Sequence, residues 1–214
     1  RDVALQMAES AQLQITRNRQ VSPPATRWEL HTRSTPLACS LAAEYIESLR
    51  WLGDRATFQG SVEMMCTAVG WQGEISGRFC DVDLDGLITD RYDHKLSGSA
   101  EIVFRRAKIQ DGKLIDAAGD LSSSGGVVSW SLRDEADRTL GLAADERVRS
   151  LEADTLWRYR ELRFGFTLNE RGLKFSGHCE APAEGVVMTD QYGALLRDRP
   201  QEICRVAALV RTLT

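Results

Sequence analysis

The sequence predicts an α+β protein that is mainly β: a curved antiparallel sheet of hairpins with two or three packed amphipathic helices. Three observations predict it. An apolar–polar–glycine–polar–apolar phrase occurs four times, as Phe58-Gln-Gly60-Ser-Val62, Trp71-Gln-Gly73-Glu-Ile75, Leu96-Ser-Gly98-Ser-Ala100 and Phe175-Ser-Gly177-His-Cys179. Strict alternation marks strands with one buried face. Each time the glycine takes an apolar position, as expected at a bulge, a sharp bend or a close approach by another layer. Finally, Asp111-Gly112 separates two alternating segments, the most specific hairpin signal in the chain. The chain holds 17 glycines in 214 residues, close to the usual share, so the phrase is not a by-product of glycine excess.

Taken in order, residues 3–16 carry a broken alternation that supplies one or two opening strands. Residues 17–26 form a polar turn with Pro23-Pro24, and Trp28 to Thr32 is a short extended piece. Thr35-Pro36 offers a cap and a first-turn proline; Leu37, Leu41, Tyr45, Leu49 and Leu52 follow at helical spacing, and Gly53 closes. A helix over 36–52 is predicted. Phe58, Gly60, Val62 and Met64 make one strand stripe and Trp71, Gly73, Ile75, Gly77 and Phe79 the next, turning near Thr67 to Gly70. Leu96 to Ile109 is a third strand, returning after Asp111-Gly112 with Ile115, Ala117, Gly119 and Leu121 on one face. Val128, Leu132, Ala136 and Leu140 predict a second helix over 127–141. Leu162 to Leu168 and Leu173 to Cys179 form a last hairpin around Asn169 to Gly172. Val186 to Thr189 is expected as an edge strand, and Ile203 to Leu213 as a terminal helix.

The chain is 43% hydrophobic, enough for one β-rich domain over 1–214, divisible into 1–142 and 156–214 by a charged segment at 143–155. A net charge of −4 gives no basic face, so nucleic acid is not an expected partner. No run approaches the ~20 apolar residues that cross a bilayer. The chain opens on Arg1, which predicts that any signal peptide or membrane anchor lies in a segment upstream of it.

Cys39, Cys66, Cys80, Cys179 and Cys204 lack metal-site spacing and are expected as reduced core residues, with a Cys39–Cys204 disulfide as the alternative. Asp81, Asp83, Asp85 and Gly86 match the opening of a calcium loop, with oxygen ligands at positions 1, 3 and 5. Position 12 is Tyr92 rather than an acid, and the preceding residues alternate as a strand, so an exposed acidic loop is the competing reading. His31, His94 and His178 are scattered; His178 falls on the solvent phase of its strand. No catalytic set and no cofactor is predicted. Arg105-Arg106 reads as a solvated pair. Phe58, Trp71, Phe79, Ile102 and Phe104 lie on strand apolar faces, either as core or as the lining of an open lipid groove.

Leu96-Ser-Gly98-Ser-Ala100-Glu-Ile102, then Ala107-Lys-Ile109-Gln-Asp111-Gly112-Lys-Leu114 and Ala117-Ala-Gly119-Asp-Leu121, resembles the strand repeats of AsmA- and TamB-type envelope proteins and of the N subunit of type II secretion systems. Phe58 to Phe79 and Phe164 to Cys179 carry a fainter echo, so the likeness covers about half the chain. It implies a membrane-anchored, non-catalytic module on the periplasmic side of a bacterial envelope. Such a module works by assembly with other envelope proteins or with itself, or by holding lipid along an apolar groove. A calcium-dependent module on Asp81, Asp83 and Asp85 is the third reading. The resemblance transfers no catalytic residue.

Overall fold

The computed structural model describes residues 10–19, 24–68, 70–111, 113–145, 156–181, 183–199 and 203–204. Strands β1 (Gln12–Asn18), β2 (Ala25–His31), β3 (Leu37–Ala38), β4 (Thr57–Thr67), β5 (Gly70–Asp83), β6 (Ser99–Gln110) and β7 (Lys113–Ser123) make up its first half. All but β3 run as an antiparallel meander in chain order; β3 caps the start of β4. The second half contains β8 (Gly126–Ser129), helix α1 (Trp130–Thr139), β9 (Leu142–Ala144), β10 (Leu156–Tyr159), β11 (Glu161–Asn169), β12 (Gly172–Gly177), β13 (Val186–Asp190) and β14 (Gly193–Asp198). The sheet continues from β7 through β11, β13 and β14 to β9, with β12 beside β11, while β8 and β10 form a separate pair. The protein is thus mainly β, with a large antiparallel sheet that does not close.

Cross-strand neighbours carry the pattern read from the sequence. Phe58 faces Phe79, Phe79 faces Ile102, Ile102 faces Leu121 and Leu121 faces Phe164. One turn along, Val62 faces Ile75 and Ile75 faces Ala107. Directly opposed residues share a face, so these rows build one apolar side of the sheet. Two bulges keep it apolar where the alternation breaks. Arg105 and Arg106 together oppose Ser76, so Phe104 and Ala107 both stay on the apolar side. Cys80 and Asp81 together oppose Glu101, so Phe79 and Val82 do the same. Asp81 sits at φ +55°, the left-handed bulge position.

The main core lies between this face and the elements that fold over it. Val82, Leu84, Ala100, Val128, Ala136, Leu142, Tyr159, Leu162, Val187, Met188, Leu195 and Leu196 form one buried cluster. Its members come from β5 and β6 and also from β13, β14 and β9, so the far end of the sheet wraps back onto the same face around α1. Tyr159 ties the layers together. Its hydroxyl donates to the Ser97 carbonyl at 2.7 Å and lies 3.1 Å from Ser123 Oγ in a buried setting. Tyr159→Phe leaves buried oxygens short of a partner, so it should cost about 1–3 kcal/mol. At this chain length that is a fall of roughly 3–10 °C in melting temperature, read by circular dichroism.

Several expectations need correcting. Three of the four repeat glycines lie in strands, but Gly98 sits in a bend just before β6 at φ +124°. A Cβ there would fall 2.7 Å from the Tyr159 hydroxyl oxygen, so the bend and the missing side chain together let that hydroxyl in. The helix predicted over 36–52 is not α-helical: β3 occupies its start, followed by 3-10 turns at Cys39–Leu41 and Glu47–Leu52. A helix of that length depends on burying its stripe. Leu41 and Tyr45 of the stripe are instead 71% and 86% exposed, and only its ends, near Cys39, Leu49 and Leu52, pack on Ala56 and Phe58. The second predicted helix is present but starts at Trp130. Val127 and Val128, β-branched, pair with β10, and Ser129 caps the helix by accepting from the Leu132 N–H. The β13 strand is no edge: all five of its residues are buried between β11 and β14. Cys204 exchanges both backbone hydrogen bonds with Leu173, at 2.8 Å each, and so is extended where a helix was predicted. The rest of that helix, the charged stretch 146–155 and the opening residues 1–9 lie outside the described residues.

All five cysteines are free thiols. Cys39, Cys179 and Cys204 are buried. Burial pushes the Cys179 thiol up to about 12, and the nearby Glu161 carboxylate adds to the effect. Burial also raises Cys39 and the Tyr159 phenol.

Candidate functional site

Among the described residues the apolar face is covered at one end and open at the other. Near the start of β4, Leu49 and Leu52 of the 3-10 turn at Glu47–Leu52 join Val62, Ile75 and Phe79 around the buried Cys39, Ala56 and Phe58. Further along, Met64 faces Trp28, Trp28 faces Ile15, Leu30 faces Leu13 and Trp71 faces Cys66. Here Leu13, Ile15, Trp28 and Trp71 are exposed by 59%, 53%, 38% and 44%. Large apolar side chains gathered on one side of a sheet at such exposure form a contact surface rather than scattered surface residues.

The opposite side of the same strands is polar and internally satisfied. Arg27 pairs with Glu29 at 2.7 Å and Glu63 at 2.9 Å, Arg106 with Asp116 at 2.7 Å, and Arg105 with Asp120. Ser61 and Ser76 share a hydrogen bond of 2.9 Å. These pairs offset part of the charge that this side presents to water.

An aromatic ladder crosses the sheet from β4 to β11. Ring centroids run Phe58 to Phe79 at 4.8 Å, Phe79 to Phe104 at 6.1 Å and Phe104 to Phe166 at 5.6 Å; Phe164 and Phe175 add a further pair at 5.3 Å. Separations in this range favour edge-to-face packing. Of the predicted groove residues, Phe58 is buried, while Phe79, Ile102 and Phe104 are half-buried on the same face. Phe79 and Ile102 pack against the main core, so they close the covered end. Trp71 alone stands in the open part. Leu13, Ile15, Trp28, Leu30, Met64 and Ile109 complete that part and were not singled out from the sequence, although Leu13/Ile15 and Trp28/Leu30 alternate in plain view.

No protein-family model, characterised protein or solved structure matches this chain. The site therefore stands on its own geometry.

The acidic motif does not assemble into a calcium loop. Asp81 is the bulge residue of β5, Asp83 ends that strand, and Asp85 opens a π-type turn at Asp85–Thr89. Asp83 Oδ1 accepts from the Asp85 N–H at 3.0 Å, and the Asp85 carboxylate pairs with Lys95. Among the described residues no group of three His, Cys, Asp or Glu side chains converges in a metal-holding arrangement. After the bulge the alternation resumes in shifted phase, with Val82 and Leu84 buried and Asp81 and Asp83 exposed.

Ser176, His178 and Asp120 meet on the polar side, which spacing could not reveal. Ser176 Oγ is 3.3 Å from His178 Nε2, and His178 Nδ1 is 3.6 Å from Asp120. They converge over Gly165, whose absent Cβ would fall 2.8 Å from Ser176 Oγ and 2.9 Å from His178 Cε1. At 3.6 Å Asp120 makes no hydrogen bond that orients the imidazole, and its carboxylate is engaged by Arg105. The trio is an exposed polar cluster on a flat strand face. Among the described residues no helix is long and apolar enough to cross a membrane.

Proposed function

We propose that this chain is a non-catalytic module of the bacterial cell envelope, on its periplasmic side, that engages an apolar partner through the uncovered part of its sheet. The observation that carries this reading is the asymmetry of one sheet. Its polar side is closed by ion pairs, and its apolar side leaves Leu13, Ile15, Trp28 and Trp71 in water at one end. Full burial of a large apolar side chain is worth roughly 1.5–3 kcal/mol, and because these are about half exposed a partner that covers them gains roughly half of that for each.

A photo-crosslinking amino acid at Trp28, compared with one at Glu74 on the polar side, tests the proposal in membranes of cells producing the full-length protein. Crosslinks to envelope protein or lipid should form from position 28 and be absent from position 74. Equal labelling from both positions, or none from either, counts against the open face.

A second reading, lipid acyl chains as the partner, is favoured by one observation. Along β4 the apolar phase continues from Met64 through Val62 and Gly60 to Phe58, where the ladder of Phe58, Phe79 and Phe104 begins. Gently purified protein should then release lipid on denaturing mass spectrometry, and Trp28→Asp should abolish that release. Lipid-free protein that crosslinks only to protein from position 28 leaves the assembly reading standing alone.

A further inference from the structure

We infer that β1 is the self-pairing edge of the sheet and that two copies of this chain join through it, antiparallel, in a register centred on Gln14. The inference rests on the assembly reading above and names its partner as a second copy.

Among the described residues nothing protects this edge. β1 bonds to β2 in an unbroken register from Gln12 opposite His31 to Asn18 opposite Ala25, and all seven of its residues are exposed. Among the described residues no strand pairs with its other side. Exposed edges are normally blunted by charge, proline or a bulge. From Gln12 to Thr16 the strand has none of these, and its first charge is Arg17.

The sequence of the strand fits a copy of itself. Antiparallel partners must set outward-facing backbone groups against outward-facing ones, which restricts a symmetric pair to registers centred on a residue. Centred on Ile15, the pair places Leu13 against Arg17. Centred on Leu13, it places Ile15 against Ala11. Centred on Gln14, it places Leu13 of each copy against Ile15 of the other, Gln12 against Thr16, and Gln14 against itself. Only this register opposes the two exposed large apolar residues of β1 twice over and brings no like charges together. It also keeps both apolar faces on one side, so the open surface of one copy continues into that of the next. A two-fold pairing of this kind uses the same patch on both subunits and closes at the dimer.

Sedimentation analysis across a concentration series should show a monomer–dimer equilibrium for the full chain. Ile15→Lys, at an exposed position, should raise the dimer dissociation constant by at least about tenfold and leave the melting temperature of the monomer unchanged. Gln14→Cys should give a disulfide-linked dimer under mild oxidation that the unsubstituted protein, with its five thiols, does not give. A chain monomeric at every concentration overturns the inference, and so does a dimer indifferent to Ile15→Lys. If position 28 still crosslinks in the envelope while no dimer forms, the edge pairing fails and the assembly reading survives. A dimer with no crosslinking from position 28 gives the reverse.

Discussion

Between pH 9 and pH 12 the protein should lose stability steadily, and Cys179 should account for the largest single part of the loss. The thiol is buried, 3.1 Å from the Val187 carbonyl oxygen and 3.8 Å from those of Glu161 and Arg163. A thiolate would meet these oxygens with its own charge and little water, and burial accordingly holds the folded thiol at about 12 against an ordinary value of 9.0. The sign follows from proton counting. Below pH 9 folded and unfolded chains both keep the proton and the contribution is fully present. Between 9 and 12 only the unfolded chain releases it, so unfolding is favoured by about 1.4 kcal/mol per pH unit. The Cys39 thiol and the Tyr159 phenol, raised by burial too, push the same way. Urea denaturation at pH 8, 9, 10 and 11 should show the decline, and Cys179→Ala should make it shallower by about 1 kcal/mol per unit even though the variant starts out less stable. An unchanged slope would mean that the thiol is reached by water in the folded state.

That thiol shows why some of this fold was legible and some was not. The phase of Cys179 in Phe175-Ser-Gly177-His-Cys179 gave its burial, because alternation is a strictly local property of a strand. The same property placed β4 to β7, the hairpin of β11 and β12, and the solvent side of His178. Two breaks in phase, at Phe79 to Val82 and at Phe104 to Ala107, were equally local, and they are the two bulges. At the first of them the acids Asp81, Asp83 and Asp85 suggested a metal loop, because the ligand spacing of such a loop coincides with the polar phase of a strand.

What spacing could not supply was tertiary. The stripe from Leu37 to Leu52 has helical period, but the surface available to it is a short patch beside Phe58, so the chain tightens into 3-10 turns and leaves Tyr45 in water. Val186 to Thr189 reads as an edge, but β14 pairs with it across a two-residue turn and β11, distant in sequence, covers its other side. The open part of the apolar face went unlisted for a similar reason. Leu13 and Trp28 alternate as any half-buried strand does, and only the pairing of β1 with β2 at the end of the sheet shows that nothing among the described residues packs over them.

Gly77→Val should be the most damaging single substitution in the meander, costing about 3–4 kcal/mol and on the order of 10 °C in melting temperature. Gly77 stands opposite Gly60 in the pairing of β4 with β5, at φ +145°, where residues bearing a side chain are strained. A Cβ on Gly77 would lie 2.6 Å from the Gly60 Cα and 2.4 Å from the Gln59 carbonyl oxygen, both backbone atoms that no rotamer change can move. Phe58 Cζ comes within 3.0 Å of where a Gly60 Cβ would be, so the ring leans over the glycine it precedes by two residues. Two glycines opposite each other therefore set both the approach of the strands and the seat of the first rings in the aromatic ladder. Gly125→Ala provides the comparison. It has a similar backbone angle, φ +133°, but its nearest neighbours would be 3.5 Å away, so it carries the conformational strain of about 1–2 kcal/mol without the clash. Chemical denaturation of both variants separates the two causes. If Gly77→Val falls within about 1 kcal/mol of Gly125→Ala, the close approach of β4 and β5 is not what this glycine is for, and the seat of the Phe58 ring does not depend on it.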